Sequence, residues 1–166
     1  MQIHPKLGKV GQIFINIIEI YVPLTSFSIM FLVFILQVFF RYVLNWPLAW
    51  PYEITIFGFI WTTLLGACYV RRKNAHVSFG LVYENVSPTM RLMFRLIANA
   101  LILIAFTVPV YATFQYFVFI HIEKSPVLRI PFSIAFSPFL VFLLLIIGYS
   151  LVDIVRDFQK LLRGET

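Results

Sequence analysis

The chain has 166 residues, 61% hydrophobic and 12% charged, with a mean hydropathy of +0.92. A soluble domain carries about twice that charged fraction, so the composition excludes an ordinary soluble enzyme and points to one membrane domain. The net charge of +6 does not indicate nucleic acid, because the basic residues stand between apolar runs rather than in one stripe or tail. Anionic lipid headgroups are the partner they fit.

Residues 1–21 do not read as a signal peptide, since the apolar run that follows is too long and no small-residue cleavage site precedes Arg41. Lys9, Gln12, Asn16 and Glu19 fall on one helical stripe and Leu7, Val10, Phe14, Ile17, Ile18 and Tyr21 on the other, which predicts an amphipathic lead-in along the membrane surface or obliquely into a first span. From Ile20 to Phe40 there is no charge, a run of about 31 Å as a helix, enough for a hydrocarbon core of about 30 Å. Pro23 sits in its opening turn, where proline is tolerated.

Arg41 to Glu53 follows, with two tryptophans, two tyrosines and two prolines. Such a mixture suits a membrane–water boundary, and Asn45, Pro47 and Pro51 make it a turn. Trp46 and Trp50 read as belt anchors. Arg41 either pairs with Glu53 across the hairpin or the two stand separately solvated. Ile54 to Val70 is the second uncharged run, about 26 Å long. It carries Cys68, which reads as a small buried hydrophobe; one cysteine excludes an intrachain disulfide and a cysteine metal cluster.

Arg71-Arg72-Lys73-Asn74-Ala75-His76 is the most basic patch, and its histidine reads as a solvated loop residue. Ser87-Pro88 opens a further helix as cap and first position. Leu96 to Ile120 is the third uncharged run, about 38 Å, with a kink expected at Pro109. The loop 121–131 is stiffened by Pro126 and Pro131. Ile130 to Val152 is the fourth run, with Pro138 and Gly148 inside. The tail 153–166 is amphipathic again, with Asp153–Arg156 and Asp157–Lys160 spaced as helix pairs.

The expected fold class is an all-α integral membrane protein, a single domain of four transmembrane helices (about 20–41, 52–70, 92–120 and 130–152) with amphipathic interfacial segments at 1–21 and 153–166. Ten lysines and arginines fall on one face and three (Arg41, Lys124, Arg129) on the other. By the positive-inside rule both termini are then cytoplasmic. No run has an ionisable residue in its interior, as ion pathways and proton relays need. No nucleotide loop, nucleophile constellation or zinc spacing is present, so no enzyme, cofactor or metal site is expected. Gln37, Asn99 and Gln115 are costly against lipid and are expected to face other helices, either within this chain or at a partner interface.

Arg41-Tyr42-Val43-Leu44-Asn45, then Pro47-Leu48-Ala49-Trp50 and Glu53, resembles the first hairpin of the small membrane subunit of TRAP transporters, the DctQ-like family. The resemblance continues through Trp61, Leu65-Gly66-Ala67, the basic patch and His76-Val77. It resumes at Ser125-Pro126-Val127-Leu128-Arg129-Ile130-Pro131 and at Pro138, so that order and spacing cover nearly the whole chain. Where the family often has two adjacent acids after the tryptophan, Tyr52 replaces the first and Glu53 keeps the second.

The resemblance implies a bacterial inner-membrane, multi-pass, non-catalytic scaffold for sodium-driven uptake of an organic acid, of sialic acid or dicarboxylate type. Its implied partners are a large multi-span subunit of elevator type and a periplasmic substrate-binding protein. Interface and structural candidates are Arg41, Asn45, Trp46, Trp50, Glu53, Trp61, His76, Ser125, Pro126, Arg129 and Pro131, with loop 121–131 either touching the binding protein or serving as a stiff connector. The alternative is a membrane anchor subunit of a respiratory complex, which needs histidines facing one another within the bilayer, whereas His4, His76 and His121 fall outside the runs. A small homo-oligomeric channel needs a polar stripe that no helix shows.

Overall fold

The computed structural model of the chain describes residues 9–73 and 87–163. Among them the regular structure is helical, apart from one isolated bridge between Lys124 and Pro131. Four helical stretches are long and apolar enough to cross a membrane: Val10–Tyr42, Trp50–Arg72, Thr89–Ile120 and Phe132–Leu162.

The first stretch is one rod built from α1 (Lys9–Asn16), a π-turn (Ile17–Tyr21) and α2 (Val22–Tyr42). The wide turn lies where Pro23 demands it. Proline has no N–H for the carbonyl four residues back and its ring crowds that carbonyl, so the chain takes the longer step in which Val22 N–H donates to Ile17 O. The amphipathic lead-in therefore continues straight into the span. Its polar stripe, expected to face water, turns inward at Asn16 and Glu19, while Val10, Ile13, Phe14 and Ile17 are exposed. In lipid the apolar side belongs outside.

At the end of α2, Val43 N–H donates to Phe39 O (2.9 Å) and Trp46 N–H to Phe40 O (3.0 Å). Asn45 supplies the left-handed residue (φ 50°) that reverses the chain, a conformation asparagine tolerates better than most. α3 (Trp50–Arg72) then returns antiparallel to α2, with Pro51 in its first turn. The two helices cross closely at Gly58, where a Cβ would lie 2.8 Å from Met30 Cβ and 3.3 Å from Ser26 O.

α4 (Pro88–Thr107) opens with Ser87 accepting from Met90 N–H (3.4 Å). Pro109 does more than kink the third stretch: it divides it, and α5 (Val110–Ile120) begins afresh. α4 packs on α7, whereas α5 stands off from α3. An apolar cleft of about 730 Å³ is left between them, lined by Phe59, Thr63, Leu64, Tyr116, Phe117 and Phe139 among others. The fourth stretch is also divided, into α6 (Phe132–Ala135) and α7 (Ser137–Arg163), with the bend at Phe136 just ahead of Pro138. The short apolar core comprises Leu65, Cys68, Leu92, Ile120, Ala135, Leu143 and Ile146 among the described residues.

The Gly58 crossing gives a direct test. Gly58→Ala forces α2 and α3 apart and costs about 1–3 kcal/mol, the range for overpacking. Gly66→Ala, with no atom within 4 Å of its new methyl group, leaves stability unchanged. Thermal midpoints of the two variants in one detergent check the contrast.

Candidate functional site

Polar side chains gather at two levels of the bundle, one at each end. The inner level is organised by the adjacent Arg71 and Arg72 at the end of α3. About 100° apart on the helix, they reach in different directions. Arg72 Nε lies 2.6 Å from Glu19 Oε2, and its Nη2 donates to Asn16 Oδ1 at 2.8 Å. Tyr149 on α7 donates its hydroxyl to the other Glu19 oxygen. Arg71 donates to Asn99 Oδ1 on α4 (2.5 Å) and pairs with Asp153 Oδ2 on α7 (3.2 Å). One turn further in, Arg95 on α4 pairs with Asp157 on α7 at 2.8 Å. Glu19 and Asp157 are buried.

These contacts revise the reading of the tail and of the basic patch. Asp153 and Asp157 pair across helices with Arg71 and Arg95 rather than along the tail with Arg156 and Lys160. Interhelical pairing wins because Arg71, with 11% of its side chain exposed, faces an acid already inside the bundle, whereas pairs along an exposed helix are worth only about 0.2–0.5 kcal/mol. Lys73 alone of the three basic residues at the end of α3 is exposed, with its ammonium 5.8 Å from the Tyr69 ring centre.

The outer level is organised by Glu53. In the first turn of α3, its carboxylate leaves its own helix and accepts from Val127 N–H (2.8 Å) and Leu128 N–H (2.9 Å), one to each oxygen. The loop is shaped to present them. Ser125 N–H donates to Ile130 O and Arg129 N–H to Ser125 O, while Ser125 Oγ accepts from Ile130 N–H. Pro126 opens this turn and Arg129 takes the left-handed conformation (φ 54°). Pro131 is bridged to Lys124 at its base. Four successive amides are thereby satisfied by one buried carboxylate and one buried serine.

Trp61 ties the same region together, its Nε1–H donating to Ala135 O at 3.0 Å. His121 shares a hydrogen bond with Ser133 at 2.8 Å.

The structure thus brings Glu53, Ser125, Pro126, Arg129 and Pro131 into one assembly, with Trp61 bonded below it. Arg41 does not pair with Glu53: its guanidinium carbon lies 5.8 Å over the Tyr42 ring centre, and both Glu53 oxygens are occupied. Asn45 is a backbone device, Trp46 is 70% exposed at the hairpin tip and Trp50 is half-buried. His76 lies outside the described residues. Gln115 does not face another helix of this chain; it is exposed and bonds Tyr111 one turn back. Asn99 faces inward as expected.

Sequence reasoning missed the inner cluster, Glu19 and Tyr149 above all. The signal available was that acids and arginines mark the same ends of different runs, at matching depth. Among the described residues no group of three or more His, Cys, Asp or Glu is placed to hold a metal. The chemistry of both levels is positional: they hold helices and a loop in register.

A family model described as tripartite ATP-independent periplasmic transporters, DctQ component, matches residues 30–160. The matched region contains the whole outer assembly and most of the inner one. No individual curated protein matches the chain.

Two outcomes test the levels. Arg72→Met leaves Glu19 buried without its cation and costs about 3–5 kcal/mol; the double variant Glu19→Leu/Arg72→Met recovers most of that loss, read as thermal midpoints of the detergent-solubilised protein. Glu53→Ala frees the loop, so trypsin cuts after Lys124 and Arg129 faster than in the parent, whereas Glu53→Gln, which keeps one acceptor, is cut at an intermediate rate.

Proposed function

The chain belongs to the DctQ family, the small membrane component of TRAP transporters, and from that premise we propose that it is a static scaffold for a sodium-driven large subunit. The family implies association with a large membrane subunit and a binding protein. In this reading the chain does not conduct solute. It braces the moving elevator-type domain of the large subunit and presents loop 121–131 to the periplasmic binding protein that delivers an organic acid.

The observation that supports the scaffold role is the two-level tie. Arg71 and Arg72 join α3 to the first helix, α4 and α7, and Glu53 joins α3 to the loop before α6. A body held at both ends resists the sideways force of a neighbour that moves through the membrane. The orientation that goes with this reading puts both termini in the cytoplasm, following the excess of lysine and arginine at the inner level. Arg41, Lys124 and Arg129 then stand on the periplasmic side, in the bacterial inner membrane. The family assignment removes the support for a respiratory anchor.

Reconstitution tests it. Large subunit and binding protein in liposomes with an inward sodium gradient take up carboxylate only when this chain is present, and this chain alone gives no flux. Full uptake by the large subunit without it overturns the scaffold role; flux through this chain alone overturns the non-conducting one.

A further inference from the structure

We propose that the outward face of α4–α5, centred on Tyr111 and Gln115, seats a transmembrane helix of the large membrane subunit that carries a Ser, Thr, Asn or Gln side chain at the depth of Gln115. This rests on the scaffold reading and adds the face through which it works. At about 100° per residue, Ile97, Leu101, Ile104 and Val108 fall on one stripe of α4 and its cap, and Tyr111, Gln115 and Val118 on one stripe of α5. The apolar members and Tyr111 are between 55% and 76% exposed. Ala112, Thr113, Tyr116 and Phe117 line the cleft towards α3, so the stripe points away from the rest of the chain.

Gln115 makes this stripe more than a lipid surface. Its Nε2 donates to the Tyr111 hydroxyl at 2.6 Å. That bond uses one amide hydrogen and leaves the second amide hydrogen, the amide carbonyl and the phenol hydrogen without a partner in the described chain. Gln115 stands five residues before the end of α5 at Ile120, about 7.5 Å along the axis, and Tyr111 lies one turn deeper. Against lipid such unpaired groups are costly, and a polar side chain on a neighbouring helix meets the need.

α2 is the internal comparison. It too is broadly exposed, at Phe27, Phe31, Leu32 and Phe34. Its exposed hydroxyls, however, are spent on its own backbone: Thr25 Oγ1 donates to Tyr21 O (2.5 Å) and Ser28 Oγ to Leu24 O (2.9 Å). The exposed hydroxyls of α2 therefore need nothing beyond lipid, whereas the α4–α5 stripe needs a polar neighbour. Of the partners the family implies, the large membrane subunit is the one with helices in the bilayer.

The test uses the tagged chain co-expressed with its large subunit in native membranes. A photoreactive benzoylphenylalanine replaces Val108 or Val118 on the stripe, or Phe31 or Leu32 on α2. The expected result is a covalent adduct with the large subunit from positions 108 and 118 and none from 31 and 32. Gln115→Leu then weakens co-recovery of the large subunit about threefold to thirtyfold, the span of interhelical polar contacts, with no change in the thermal midpoint of the isolated chain. Adducts from positions 31 and 32 alone, with Gln115→Leu recovered as the parent, overturn this face and leave the scaffold reading standing. Adducts between two copies of this chain overturn the occupant. Failure of the unsubstituted pair to co-purify overturns the scaffold reading and this proposal together.

Discussion

Arg72 and Glu19 meet at 2.6 Å where the first helix, α3 and α7 converge, with Asn16 and Tyr149 completing the shell. In water such a site would add little to a bundle already held by its apolar core. In lipid the balance reverses. Apolar side chains gain nothing by leaving hydrocarbon for one another, so close packing and polar contacts decide which helix lies where. The small set of buried apolar residues beside Leu65, Leu143 and Ile146 is consistent with that. Once Arg72 and Glu19 are paired, removing either partner strands a buried charge. The first helix, α3 and α7 therefore keep their relative positions.

The two ends solve different problems with different chemistry. The inner end must align helices whose backbones are already satisfied, so it uses side chain against side chain: Arg71 with Asn99 and Asp153, Arg95 with Asp157. The outer end must order a loop, whose amides are not satisfied by any ladder. There a single carboxylate takes two adjacent backbone donors, and charge-assisted bonds of this kind are the stronger class. Between the ends α2 and α3 touch at Gly58, while α5 swings free beyond Pro109. The result is a beam tied at both ends, with one arm projecting from it.

What could be read in advance follows from what the bilayer imposes on local sequence. Span existence and the hairpin at Asn45–Pro47 depend only on run length, prolines and interfacial aromatics. Those are local quantities. The division at Pro109 was half legible: the missing donor was evident, but whether the helix bends or restarts depends on neighbours. The partner of Glu53 was not legible, because its amides lie 74 and 75 residues away and backbone donors carry no sequence mark. The pairing of Asp153 and Asp157 was misjudged for a related reason. Spacing along one helix is visible in a sequence, and the depth at which a different helix offers an arginine is not.

The inversion of the first amphipathic stripe shows how such a non-local outcome can still have a local origin. A polar stripe beside an apolar one fixes an axis but not its sense; in water the polar side faces out, and in lipid it faces in. Pro23 settles the matter here. Lacking an N–H, it leaves the Glu19 carbonyl without its usual donor, and the chain answers with the wide turn at Ile17–Tyr21. Across that turn the residues advance by less than the usual angle, and Glu19 faces Arg72 rather than lipid. One turn on, the Pro23 carbonyl also accepts from Thr62 Oγ1 on α3 at 3.4 Å. A missing proton on one backbone nitrogen thus sets the register of the first helix against the second, and through it the charge pair on which the inner level depends.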